Sequence, residues 1–128
     1  MTCSDLRVLL VEDSNLLSER LLELMSDLEG IANVGAVATE SDAIQAVKER
    51  HPDAIILDLR LKVGTGFGVM HYINTMALPP AVVVLTNYAL PQYRRQAEIL
   101  GVRYFLDKAQ EFEQLPKILQ SLCQERWS

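Results

Sequence analysis

Two kinds of pattern alternate along this chain. Residues Leu6–Val11, Ala54–Leu57 and 81–85 are short runs with almost no polar residue, bounded by polar or turn-forming positions. Runs of that length, rich in Val, Leu and Ile, read as strands buried on both faces. Residues 31–38 form a further extended run with imperfect alternation, and 103–106 form the weakest. Between these runs, apolar residues recur every three or four positions, the period of a helix with one inward face.

Leu17, Leu21, Leu24, Met25 and Leu28 set the first such stripe, which Gly30 is expected to close. Thr39 can cap a second helix carrying Ala43, Ile44 and Val47, with Asp42 three residues on, and His51-Pro52 stops it. A third helix carries Val69, Met70, Ile73 and Met76 up to the Pro79-Pro80 break. Pro91 suits the first turn of a fourth, which runs through Leu100 and is closed by Gly101. Leu115, Ile118, Leu119 and Leu122 form the stripe of a fifth, with Pro116 in its first turn and residues 111–114 as a separate short turn. Strand and helix thus alternate five times. This predicts an α/β fold: one five-stranded parallel sheet with helices on both faces, the (βα)5 three-layer sandwich, flavodoxin-like by analogy with known folds of that alternation.

The 128 residues fit one domain spanning 1–128. A net charge of −5, with no Lys/Arg cluster, argues against direct nucleic-acid binding. No apolar run is long enough for a membrane span, and the start of the chain does not look like a signal peptide. Two cysteines, Cys3 and Cys123, match neither a zinc spacing nor a disulfide framework. A cytoplasmic protein is the expectation, with Cys123 an apolar position on a helix.

The polar residues that interrupt the strands are ordered. Glu12 and Asp13 follow the first, Asp58 follows the third, Thr86 ends the fourth and Lys108 follows the fifth. In a parallel sheet these ends share the edge where ligands bind. If the first and third strands are neighbours, as in flavodoxin-like folds, three carboxylates converge and call for a divalent cation. Mg²⁺ suits carboxylates, water and a phosphate oxygen. Lys108 would neutralise charge on a phosphoryl group, and Thr86 would donate a hydrogen bond to it. Asp58 is the better nucleophile candidate for an aspartyl-phosphate, because Glu12 and Asp13 are adjacent and can act as a metal pair.

Through the segments VLLVEDS, PDAIILDLRL, VVVLTNYA and GVRYFLDK, in order, the chain resembles the receiver domains of bacterial two-component response regulators over essentially its whole length. The resemblance implies Mg²⁺ held by Glu12, Asp13, Asp58 and the carbonyl of Arg60. It implies a phosphoryl group passed to Asp58 from a histidine kinase or histidine phosphotransfer protein, and a downstream protein target or effector domain as the reader. Phe105 fits the aromatic that turns inward as Thr86 moves toward the phosphoryl group. Surfaces on the fourth helix, fifth strand and fifth helix often make partner or homodimer contacts in this family. Five positions depart from the family pattern: Ala109 follows Lys108 where proline is common, Asn87 replaces a small residue, Lys62 stands where proline is common, and Arg60 and Tyr88 are bulky beside the expected water path.

Each acidic or hydroxyl residue alone has a plainer explanation: Glu12-Asp13-Ser14 as a helix cap, Asp58 as a turn, Thr86 as a loop hydroxyl, Lys108 as a solvated charge. Four such coincidences on one edge are harder to accept than one site. The run Gly64-Thr65-Gly66-Phe67-Gly68 has neither dinucleotide-fold nor P-loop spacing, so turn and packing roles are expected. His51 and His71 lack a paired ligand, Tyr93, Arg94 and Arg95 read as a solvated helix face, and Trp127 is undecided between tail and packing. Two other functions fit less well. A phosphorylation-independent binding scaffold leaves the acidic set unexplained, and a phosphatase acting through Asp58 would want a second acid where Arg60 stands.

Overall fold

A computed structural model describes residues 5–125; Cys3 and Trp127 lie outside them. Five parallel strands, β1 (Leu6–Val11), β2 (Ile31–Val37), β3 (Ala54–Leu57), β4 (Ala81–Thr86) and β5 (Tyr104–Asp107), lie in the order β2-β1-β3-β4-β5. β1 pairs directly with β3, so the strand order reverses between them as the carboxylate argument requires. Helices α1 (Asn15–Ser26), α2 (Glu40–Arg50), α3 (Gly66–Ile73), α4 (Pro91–Ile99), α5 (Lys108–Glu111) and α6 (Leu115–Glu125) connect and cover the sheet.

Strand side chains alternate between two buried layers, which explains the missing polar alternation. Leu9, Val11, Ile55, Leu57, Val82, Val84 and Phe105 pack with residues of α2, α3 and α4. Val8, Leu10, Ile56, Val83, Leu85 and Leu106 pack on the other face with Leu21 and Met25 of α1 and Leu115, Ile118, Leu119 and Leu122 of α6. Cys123 is half-buried, and its thiol donates to the Gly30 carbonyl at 3.3 Å.

The caps follow the sequence closely. Thr39 Oγ1 accepts from the Asp42 amide at 3.1 Å, and His51 closes α2 in the left-handed region at φ 47°. Pro91 occupies the first turn of α4. Elsewhere the periodic stripes ran past the helix ends. α1 stops at Ser26, not Gly30: the Asp27 and Leu28 amides bond back to Leu24 and Met25, tightening the last turn, and Leu28 packs from beyond the helix. Gly30 instead turns the chain at φ 80° and offers its carbonyl to the Leu6 amide at 2.8 Å. α3 stops at Ile73, before Met76 and the Pro79-Pro80 pair. β2 ends at Val37, one residue earlier than expected, and β5 is shifted one residue onward.

After β5 a short helix was not anticipated. The Asp107 carboxylate accepts from the Ala109 amide at 2.8 Å, starting α5 at Lys108. A 3-10 turn at Phe112–Gln114 then leads into α6, with Pro116 in its first turn, so Glu111 belongs to α5 and not to that turn. Among the described residues no peptide bond is cis, the Lys108–Ala109 bond included.

Both outer strands carry side-chain bonds on their backbone. β2 has an irregularity opposite Val8–Leu10, where Asn33 Nδ2 donates to the Val8 and Gly35 carbonyls and Arg50 Nη1 donates to the Val34 carbonyl at 2.9 Å. On β5, Arg94 Nη1 donates to the Phe105 carbonyl at 3.1 Å and Glu111 accepts from the Asp107 amide at 3.1 Å.

Candidate functional site

The C-terminal ends of β1, β3, β4 and β5 bring the polar residues to one edge. Glu12 and Asp58 are buried to 4% exposure, and Thr86 is fully buried. Buried acids need compensation, and Lys108 supplies it. Its Nζ lies 2.6 Å from Glu12 Oε1 and 2.6 Å from Asp58 Oδ2. Glu12 Oε2 accepts from the Ser14 amide at 3.0 Å, while Ser14 Oγ caps α1 through the Leu17 amide. Asp58 Oδ1 receives a long contact of 3.4 Å from the Arg60 amide.

Burial pushes the Glu12 carboxyl above its ordinary value of 4.5, against the opposing pull of Lys108 and the Ser14 amide. Burial would push Lys108 down, yet the Asp58 and Glu12 carboxylates outweigh it and hold the ammonium above its ordinary 10.5.

Glu12, Asp13 and Asp58 each place a carboxylate oxygen within 4.8 Å of the others, Asp13 being exposed. Three hard oxygen donors with an open side fit a divalent cation of the Mg²⁺ kind. The cation that Lys108 already places between two of them fits the same demand.

Thr86 stands beside Asp107 in the β4–β5 register, one residue before Lys108. Its Oγ1 accepts from the Tyr88 amide at 3.1 Å, so the hydroxyl is engaged with its own loop. Tyr88 Oη in turn accepts from Arg60 Nη1 at 2.6 Å, and the guanidinium lies 5.0 Å from the Tyr88 ring centre. The two bulky residues singled out in the sequence therefore meet, joining the loop after Asp58 to the loop after Thr86. Together with Leu59, Thr65, Phe67 and Tyr93 they line a cavity of about 340 Å³ beside the loop that follows Asp58.

Phe105 is buried against Val84 and the inner face of α4. Arg94 lies over it, its guanidinium 4.6 Å from the ring centre, and reaches Glu111 at 3.9 Å. Arg94 is thus more than a solvated position, and Tyr93 packs on Phe67 at 5.8 Å. No periodicity marks such contacts, because the partners stand on different elements well apart in the sequence. Gly66 has a packing role, since a Cβ there would collide with the Asp58 carbonyl.

Residues 8–120 match the family model of the response regulator receiver domain. The chain is 31% identical to the sensory transduction protein LytT of Bacillus cereus over 102 residues, which is 79% of this chain and 41% of that protein. Among solved structures, the signal receiver domain of a putative LuxO repressor protein from Vibrio parahaemolyticus is 30% identical, with a TM-score of 0.85 over 94% of this chain and 92% of that one. The receiver domain of a putative NarL response regulator from Mycobacterium tuberculosis has a TM-score of 0.86 at 23% identity, covering 95% and 98% of the two chains, a likeness of fold alone. No helix among the described residues is long and apolar enough to cross a membrane.

Proposed function

Because this chain belongs to the response regulator receiver domain family, we propose that it is a phosphoacceptor switch in which Asp58 takes a phosphoryl group from a phosphohistidine. The observation that carries the reading is Lys108 bridging buried Glu12 and Asp58 at 2.6 Å each, with Asp13 completing the acidic set. The chain is read as one receiver unit of a cytoplasmic protein. It turns over no separate substrate, and its donor is a histidine kinase or histidine phosphotransfer protein.

Glu12, Asp13 and Asp58, with the Arg60 carbonyl, would hold Mg²⁺. When bound, the ion would neutralise charge on the phosphoryl oxygens during in-line transfer. An Asp58 carboxylate oxygen attacks phosphorus, and the bond to the donor imidazole nitrogen breaks. Lys108 stays against the new acyl phosphate and offsets its charge. Thr86 releases the Tyr88 amide and donates its hydroxyl to a phosphoryl oxygen. The vacated space and the Phe105 ring beside it change the surface of α4 and β5 that a target or effector domain reads.

The test is intact mass after incubation with Mg²⁺ and a small phosphodonor, beside a magnesium-free control. One added phosphoryl group that requires magnesium supports the switch. No adduct, with no stabilisation by Mg²⁺ plus beryllium fluoride, would favour a scaffold that binds partners without phosphorylation.

Two outcomes follow from the same geometry. The Arg60–Tyr88 bridge ties the loop after Asp58 to the loop after Thr86, so Arg60→Ala and Tyr88→Ala should each shorten the aspartyl-phosphate lifetime on the order of a few-fold, by admitting water. Unchanged lifetimes in both would remove the bridge from the mechanism. The raised Glu12 carboxyl adds a pH dependence, because the metal takes only the deprotonated form. Magnesium affinity should fall as the pH drops through Glu12's raised range, sooner than an ordinary carboxylate would require. Calorimetric titrations stepped downward from neutral pH check this, and Glu12→Gln should bind weakly with a flatter profile.

A further inference from the structure

The loop between Asp58 and α3 is tied to the loop before α2 by bonds that the sheet does not require. The Lys62 amide donates to the Ala38 carbonyl at 3.0 Å, a bond the family's usual proline could not make. The Glu40 amide donates to the Val63 carbonyl at 2.9 Å, and Thr39 and Val63 form an isolated parallel bridge. The Glu40 side chain adds a second hold: its Oε1 accepts from the Thr65 amide at 2.9 Å.

Two glycines make room for that side chain. A Cβ on Gly68, in the first turn of α3, would collide with the Glu40 carboxylate, and one on Gly64 with the Glu40 Cβ. Thr65 is in turn bridged to Arg60, and the Gly66 amide donates to the Leu59 carbonyl at 2.8 Å. The Arg60 amide contacts Asp58 Oδ1. One line of contacts therefore runs from Glu40 through Thr65 and Arg60 to the acceptor carboxylate.

We propose that Glu40 is a positioning residue for the metal site, a carboxylate buckle that keeps loop 59–65 in register so that Arg60 and Asp58 present their oxygens to one ion. This rests on the reading of Glu12, Asp13 and Asp58 as a magnesium site. Glu40 touches neither the ion nor the phosphoryl group. It acts through Thr65, as outer partners of metal ligands do.

The test is magnesium affinity by calorimetry, with amide exchange at Lys62 and Gly66 in metal-free protein, for four variants. Glu40→Ala should weaken magnesium binding about tenfold, the lower end for loss of an outer partner, and speed exchange at both amides. Glu40→Gln keeps an oxygen for the Thr65 amide and should stay close to wild type. Gly68→Ala should weaken magnesium binding like Glu40→Ala while raising the melting temperature, because alanine favours the helix and only displaces the carboxylate. Adding Gly68→Ala to Glu40→Ala should cost magnesium affinity nothing more. A role in stability alone would move affinity and melting together.

Wild-type affinity and exchange in Glu40→Ala, or losses that add in the double variant, would overturn the buckle while leaving the switch intact. A wild-type protein that binds no magnesium would overturn the metal reading, and the proposal with it. Exchange in metal-free Glu40→Ala would then still show whether the side chain holds the loop.

Discussion

With Asp58→Ala, incubation with Mg²⁺ and a small phosphodonor leaves the intact mass unchanged, where the wild type gains one phosphoryl group. The expectation comes from how differently the three acids are held. Glu12 is committed on both oxygens, to Lys108 and to the Ser14 amide. Asp13 is exposed, without the buried ammonium that would stabilise a transferred group. Asp58 combines burial and the Lys108 contact with a second oxygen held only by a 3.4 Å contact from the Arg60 amide. Asp58→Asn, which keeps the shape but not the nucleophile, should fail in the same way. The metal-free fold should tolerate either change, because one of two acids competing for Lys108 is removed and the Glu12 pair survives. Label persisting in both variants would move the acceptor elsewhere and end the present assignment.

Lys108→Met should have the largest effect on stability. The side chain is 10% exposed and stands between carboxylates of 2% and 5% exposure. Removing it leaves two buried acids facing each other, at a cost of about 3 kcal/mol, the lower end for breaking a buried ion pair. Urea unfolding without metal measures that loss, and added Mg²⁺ should restore a large part of it by taking over the neutralisation. The pH dependence has a definite sign. Lys108 titrates higher folded than unfolded, so its contribution is complete below the ordinary 10.5 and disappears as the pH rises through the raised folded value. The gap between wild type and variant should therefore persist at neutral pH and close only in strong alkali. A variant as stable as the wild type near neutrality would mean that the acids protonate or find water at little expense.

Much of this was legible in the sequence because a parallel sheet covered on both faces needs apolar strands, and its chemistry falls where those strands stop. Leu6–Val11 and Ala54–Leu57 were readable to the residue for that reason, as were the Thr39 cap and Pro91, which act within a few positions of themselves. The end of α1 was not, because Leu28 serves the core from outside the helix and keeps the period going. α5 was hidden because a single side-chain bond, Asp107 to the Ala109 amide, starts it. Glu40 and Thr65 lie 25 residues apart, and Arg94 and Phe105 lie 11 apart. Contacts of that kind leave no spacing to detect.

The side-chain bonds on the outer strands have a consequence for how this molecule can be approached. At β2 the Val34 carbonyl is taken by Arg50, and at β5 the Phe105 carbonyl and Asp107 amide are taken by Arg94 and Glu111. A sheet whose rims are stoppered in this way offers little purchase for an incoming strand, whether from a stray copy or from a growing fibril. Crowded copies should meet through helix surfaces and part again, which is the reversibility that a messenger needs.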